Sequence, residues 1–215
     1  MRMIQKRIGS VFSALMLLAI YPFSLVDAGS SWAIPLSSSQ GTTELVFVDQ
    51  NGLSHSYTLT DLQKLPFIER TGAYEGFSGW KGNGTYRGVD LAYLVALHGN
   101  MSQGDVLRVT ASDDWVGLYT FDNVFPTDWR TLIQGPMVLA YALDGVTVPA
   151  WEDGLKIVFL PEDGGYSISD MQLTTSPDLQ GQSAGSRWIK NVVKIEVLHE
   201  ASVQVIGCLL YTSDA

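Results

Sequence analysis

Cys208 is the only cysteine in 215 residues. One thiol cannot close an internal disulfide, so the fold has to be held by its core. The same scarcity excludes CxxC sites, and the three histidines include no HxxxH pair, so no metal site is spaced along the sequence. Charge is scarce as well, at 16% of residues, and basic charge most of all: 13 Lys and Arg stand against 22 Asp and Glu, for a formal net charge of −9. An acidic surface argues against nucleic acid or an anionic membrane as partner. No nucleophile-elbow pattern marks a serine hydrolase, and internal repeats are absent.

What is present fits a β-rich globular protein with one well-buried domain: 46% hydrophobic residues, 21 glycines and 11% aromatics. The N-terminus reads as a signal peptide over residues 1–28. Arg2, Lys6 and Arg7 form its basic region, 11–20 its apolar core, and Ala28 the small residue before cleavage; Ser31-Trp32-Ala33 is a second candidate. Pro22 and Asp27 interrupt the apolar run, so cleavage is favoured and membrane attachment would arise only through an uncleaved segment. The expected location is secreted or periplasmic. Removing 1–28 takes away three basic residues and Asp27, which moves the formal charge from −9 to −11. Residues 29–41, rich in Ser and Gly, read as a linker. Residues 201–215 read as a tail, and 206–215 lack periodicity and resemble translated adapter read-through rather than native sequence.

The clearest helix lies in residues 84–99. Its glycine-rich first part cannot be helical and reads as strand and tight turn. Leu91, Leu94, Val95 and His98 then fall on one face at helical spacing. Asp90 suits the N-terminal dipole, and His98 followed by Gly99 ends the helix.

Elsewhere strands dominate. Residues 44–50 alternate, Asn51-Gly52 signals a hairpin, and 53–59 return, with Tyr57 and Leu59 on one face. Thr60 can cap a single turn over 61–64, stopped by Leu65-Pro66. Residues 67–83 read as irregular, with aromatics between glycines. Residues 106–111 and 116–121 read as strands joined by a Ser112-Asp113-Asp114 turn, and Asp122-Asn123 as the cap of a turn ending at Phe125-Pro126. Residues 137–143 form a strongly apolar strand, Asp144-Gly145 a tight hairpin, and 146–148 its return. A buried strand over 155–160 stops at Pro161. Residues 161–186 read as a polar loop, long enough to be functional or mobile. The last strand covers 188–198, with Ile189, Val193, Ile195 and Val197 inward.

Few residues suggest chemistry. Asp113 and Asp114 could act as paired acid and base, but neighbours in a tight turn point apart and read as turn formers. Trp80, Trp115, Trp151 and Trp188 could line a cleft, core or loop packing being the commoner role.

Five segments carry a resemblance. They are Tyr86-Arg87-Gly88-Val89-Asp90-Leu91-Ala92-Tyr93-Leu94-Val95, Val109-Thr110-Ala111-Ser112-Asp113-Asp114-Trp115, Met137-Val138-Leu139-Ala140-Tyr141-Ala142-Leu143-Asp144-Gly145, Leu155-Lys156-Ile157-Val158-Phe159-Leu160-Pro161, and residues 185–197 from Gly185-Ser186-Arg187 through Lys190 to Val197. In this order they resemble the oxidoreductase molybdopterin-binding domain, the catalytic fold of sulfite oxidase and of the periplasmic methionine-sulfoxide reductase. The resemblance runs over about residues 42–197. It implies an α+β, mostly β, sulfite-oxidase-type molybdopterin-binding fold, as a single domain over 42–200 around a pterin-binding cleft.

One departure bears on function. Catalytic members place a molybdenum-ligating cysteine shortly before the segment that Tyr86 opens. Residues 67–85 contain none, and Gly76 lies about where it would fall. An oxo-metal centre takes a soft thiolate from protein, for which Glu75 or Lys81 is a poor substitute. None of His55, His98 and His199 matches the family's pterin histidine. Arg187 and Lys190 do carry over, with Gly185 opening their segment, onto family positions that meet the pterin phosphate side. Such cations suit phosphate or carboxylate, the competing reading being a solvated strand start. The expectation is an exported domain that binds molybdopterin, another pterin-like compound or another anionic small molecule, or acts as an accessory domain, without molybdenum. The rivals are an active molybdenum oxidoreductase and a structural extracellular domain.

Overall fold

Two sheets share one core in the computed structural model, which describes residues 44–175 and 182–199. The expected signal peptide, linker and tail lie outside these residues. The first hairpin joins β1 (Glu44–Val48) to β2 (Ser54–Thr58) through Gly52 at φ 79°. Helix α1 (Leu59–Lys64) follows. Its cap is Thr58, not the expected Thr60. The Thr58 hydroxyl accepts from the Asp61 N–H while the Asp61 carboxylate accepts from the Thr58 N–H, a reciprocal box that Thr60 is placed too late to make.

β3 (Phe67–Gly76) and β4 (Gly79–Asp90) form a long hairpin where the sequence reads as irregular. A break of register between Gly72 and Tyr74 interrupts the period-2 pattern, which is why no strand signal is visible there. β4 passes straight into α2 (Leu91–Leu97), with no intervening glycine turn. The Asp90 side chain caps α2 by accepting from Ala92 N–H, and Leu91, Leu94 and Val95 are buried, with His98 as C-cap.

β5 (Val106–Ala111) and β6 (Val116–Thr120) pair across a turn in which Asp114 has φ 65° and the Asp113 carboxylate accepts from Trp115 N–H. Two short helices, α3 (Phe121–Val124) and α4 (Asp128–Gln134), lead to the buried strand β7 (Met137–Leu143). β8 (Val146–Thr147) and β9 (Lys156–Phe159) both pair with β7. The segment expected as a polar loop holds β10 (Gly165–Tyr166), helix α5 (Ile168–Thr174) and a 3-10 turn at Ala184–Arg187. Ser167 and Asp170 form the capping box of α5, a short signal inside a polar stretch.

β11 (Val192–Leu198) completes the first sheet in the order β2-β1-β11-β5-β6; the second runs β10-β3-β4-β7-β8, with β9 also on β7. β1 and β11 are parallel, so the two ends of the described chain lie side by side. A register break between Val192 and Lys194 turns Val192 inward and leaves Val193 38% exposed, against the expected alternation. Before β11 the chain is stitched to the start of β9: Ile157 donates to Ile189 at 2.8 Å, Asn191 to Asp153 at 2.8 Å and Val192 to Leu155 at 2.8 Å. These bonds fix the path of residues 184–191. Among the described residues no helix is long and apolar enough to cross a membrane.

Candidate ligand-binding site

The 3-10 turn and the residues after it floor two adjacent clefts that share Trp115 and Ser186. The turn closes through Ser186 N–H to Ser183 and Trp188 N–H to Gly185. Gly185 has a packing reason to be glycine: a Cβ there would stand 2.6 Å from the Tyr74 ring.

The first cleft, of about 350 Å³, is lined by Tyr74, Trp115, Lys156, Ser186, Trp188 and Lys190, with Asp113 and Asp153 at its wall. Lys156 is buried on β9, and its ammonium lies 2.8 Å from the Asp153 carboxylate. Four rings surround that ammonium: Tyr74 and Trp188 at 5.8 Å, Tyr86 and Trp151 at 6.0 Å. The exposed Lys190 approaches the same carboxylate at 3.9 Å. The Trp188 indole N–H is buried and has no partner. It can only donate, so it asks for an acceptor. Burial, with the Asp153 charge behind it, pushes the Tyr86 phenol well above its ordinary value, so that ring stays neutral beside the lysine.

The second cleft, of about 430 Å³, runs along β6 and is bounded by Val116, Leu118, Thr120, Asn123, Gln182 and Arg187. Arg187 is only 4% exposed, so the reading of a solvated strand start fails for it. Its guanidinium lies 3.9 Å over the Tyr119 ring, and the Tyr119 hydroxyl donates to the Arg187 carbonyl at 2.8 Å. Burial raises the Tyr119 phenol strongly and the nearby arginine offsets this only in part, so the hydroxyl remains a donor. Burial likewise pushes the Tyr166 phenol up to about 12, again against the pull of Arg187 among others. Among the described residues no carboxylate pairs with Arg187, and its Nε is buried without a partner.

The residues carried over by resemblance are therefore divided. Gly185 and Lys190 face the first cleft and Arg187 faces the second. Sequence reasoning missed Lys156, although a lysine inside the apolar run 155–160 was a visible signal. Of the four tryptophans weighed for a cleft, Trp151 is core, Trp80 is exposed, Trp188 is buried yet lines the first cleft, and Trp115, 57% exposed, stands between the two clefts. Among the described residues no group of three or more His, Cys, Asp and Glu side chains is placed to hold a metal.

The architecture is α+β and mostly β. No family model matches the sequence, and no curated protein matches it. Among solved structures, the sulfane dehydrogenase SoxCD from Paracoccus pantotrophus shares this fold, with a TM-score of 0.50 at 16% identity over 75% of this chain. The match spans 39% of that chain.

Proposed function

We propose that the protein is an exported binding module of the sulfite-oxidase-type molybdopterin-binding fold, and that the first cleft takes a planar, anionic small molecule of the pterin type. The observation that carries this reading is the pair of ammonium groups, Lys156 and Lys190, that line the cleft together with Trp188, whose buried indole N–H has no partner. Trp115 and Tyr74 bring aromatic rings to the lining, suited to a flat heterocycle, and the two lysines suit a phosphate or carboxylate. Asp113 and Asp153 keep the cleft near neutrality, so an anion is held by local donors rather than by a general positive field. The fold shared with a sulfane dehydrogenase agrees with the sequence resemblance.

The same cleft suits molybdenum poorly. The resembled family holds the metal through a cysteine thiolate, and the side chains here are ammonium, indole, hydroxyl and carboxylate groups. The pterin and the metal are therefore separable: the residues fit the organic group and not the metal.

The test is thermal unfolding of the full chain with a pterin monophosphate. A ligand at about 100 times its dissociation constant adds roughly 2.7 kcal/mol of stability. Lys190→Ala and Lys156→Met should each remove most of that gain. Equal gains in wild type and both variants, or none in wild type, would overturn the reading.

A further inference from the structure

The second cleft does not depend on the pterin reading, and its walls have a different character. β6 is the last strand of its sheet, with β5 on one side and no strand on the other among the described residues. Ala111 donates to the Trp115 carbonyl at 2.9 Å, and the Thr120 N–H turns away from β5 to the Asn123 side chain at 3.2 Å. This sets the alternation of an antiparallel pair: Trp115, Gly117 and Tyr119 direct their backbone groups to β5, while Val116 and Leu118 direct theirs to the open side. The side chains of Val116 and Leu118 are exposed and apolar, on one face of β6, and the exposed Trp115 precedes them at the cleft. Edge strands are usually protected by charge, proline or a covering element, and residues 115–120 contain no charge and no proline.

Arg187 gives the open edge a chemical direction. It is the one charged side chain among the residues that line this cleft, and it is buried, held flat on Tyr119, without a carboxylate partner among the described residues. Its buried Nε has no acceptor among the described residues, and a guanidinium facing a cleft suits a carboxylate. We propose that the cleft along β6 binds an extended peptide segment, which adds as a strand to the free edge of β6 and places a carboxylate on Arg187. Backbone bonds to Val116 and Leu118 would supply the strand addition, the apolar strip would hold alternate side chains, and the guanidinium would select the anionic group. The carboxylate is either the C-terminus of the peptide or an Asp or Glu side chain, chemistry that the site reads alike.

The test uses the full chain and a random heptapeptide library displayed with free C-termini, followed by synthesis of the enriched peptides with free and amidated C-termini. Enriched peptides should bind wild type, slow amide exchange at Val116 and Leu118, and bind Leu118→Lys and Arg187→Gln about tenfold more weakly or worse. Leu118 is exposed, so Leu118→Lys keeps the test decisive even if Arg187→Gln fails to fold. If amidation abolishes binding, the carboxylate is the C-terminus; if binding survives amidation but is lost on changing an Asp or Glu of the peptide, it is the side chain. Binding that ignores both Leu118→Lys and the peptide's carboxylates overturns the proposal, as does the absence of any enriched peptide. A concentration-dependent dimer that protects the β6 amides in place of peptide also overturns it, with a second copy as the occupant.

Discussion

Asp90 shows how one residue holds two opposed roles. It caps α2 through Ala92 N–H, yet burial raises its carboxyl above the ordinary value, the cap bond only opposing this. The folded chain then keeps its proton to higher pH than the unfolded chain does, so stability falls as pH rises from about 4, the unfolded value, through the raised folded value. The penalty is fully present once the pH has passed the raised folded value. Asp90→Asn keeps an acceptor for the cap and removes the charge. Its melting temperature should exceed that of wild type at pH 7, and the gain should fade below about pH 4. A gain that does not change with pH, or a loss at pH 7, would contradict this. That an acidic residue suits the start of α2 was legible in the sequence because it is a local feature, although the cap bond itself was not read there. The setting of Arg187 was not, because the ring it lies on and the hydroxyl its carbonyl accepts from belong to Tyr119, 68 residues earlier. Val192 and Val193 exchange faces for a related reason, since a bulge depends on the partner strand and leaves no trace in the alternation.

Among the strands, β4 makes the closest approach to another strand's backbone. A Cβ on Gly88 would stand 2.2 Å from the Leu139 carbonyl oxygen and 2.5 Å from the Ala140 Cα, both backbone atoms of β7. They cannot rotate aside, so Gly88→Ala must push β4 off β7 and should cost about 3 kcal/mol. Gly145, in the β7–β8 hairpin, is the control: nothing lies within 4 Å of its Cβ position, and only its φ of 80° resists a side chain. Gly145→Ala should cost about 1 kcal/mol. Urea unfolding of the two variants checks the order, and equal costs would show that β4 and β7 can separate without penalty. The glycine of the Tyr86-Arg87-Gly88-Val89 segment thus has a mechanical reason to be there. Element recognition from sequence followed the strength of local signals. α2 and β7 stood out through their apolar spacing. The β3–β4 hairpin and α5 did not, because one is interrupted by a register break and the other lies within polar sequence.

At the scale of the molecule, the parallel pairing of β1 with β11 and the bonds from 189–192 to 153–157 bring the last family-like segment, with Trp188 and Lys190, against Lys156. That closure, not any single motif, makes a cleft out of residues that are far apart in sequence. The order of segments was enough to suggest the fold, and the fold shared with SoxCD is consistent with it. The division of the site into two clefts was not legible, because Arg187 and Lys190 are close in sequence and only the turn at Ala184–Arg187 sends them to different sides. The central claim is that this chain takes the organic group without the metal. It is tested most directly by producing the full chain in a host that makes the molybdenum cofactor and measuring molybdenum and pterin per purified chain. The account predicts pterin at a substantial fraction of one per chain with molybdenum near zero, whereas stoichiometric molybdenum together with sulfite or sulfoxide turnover would contradict it.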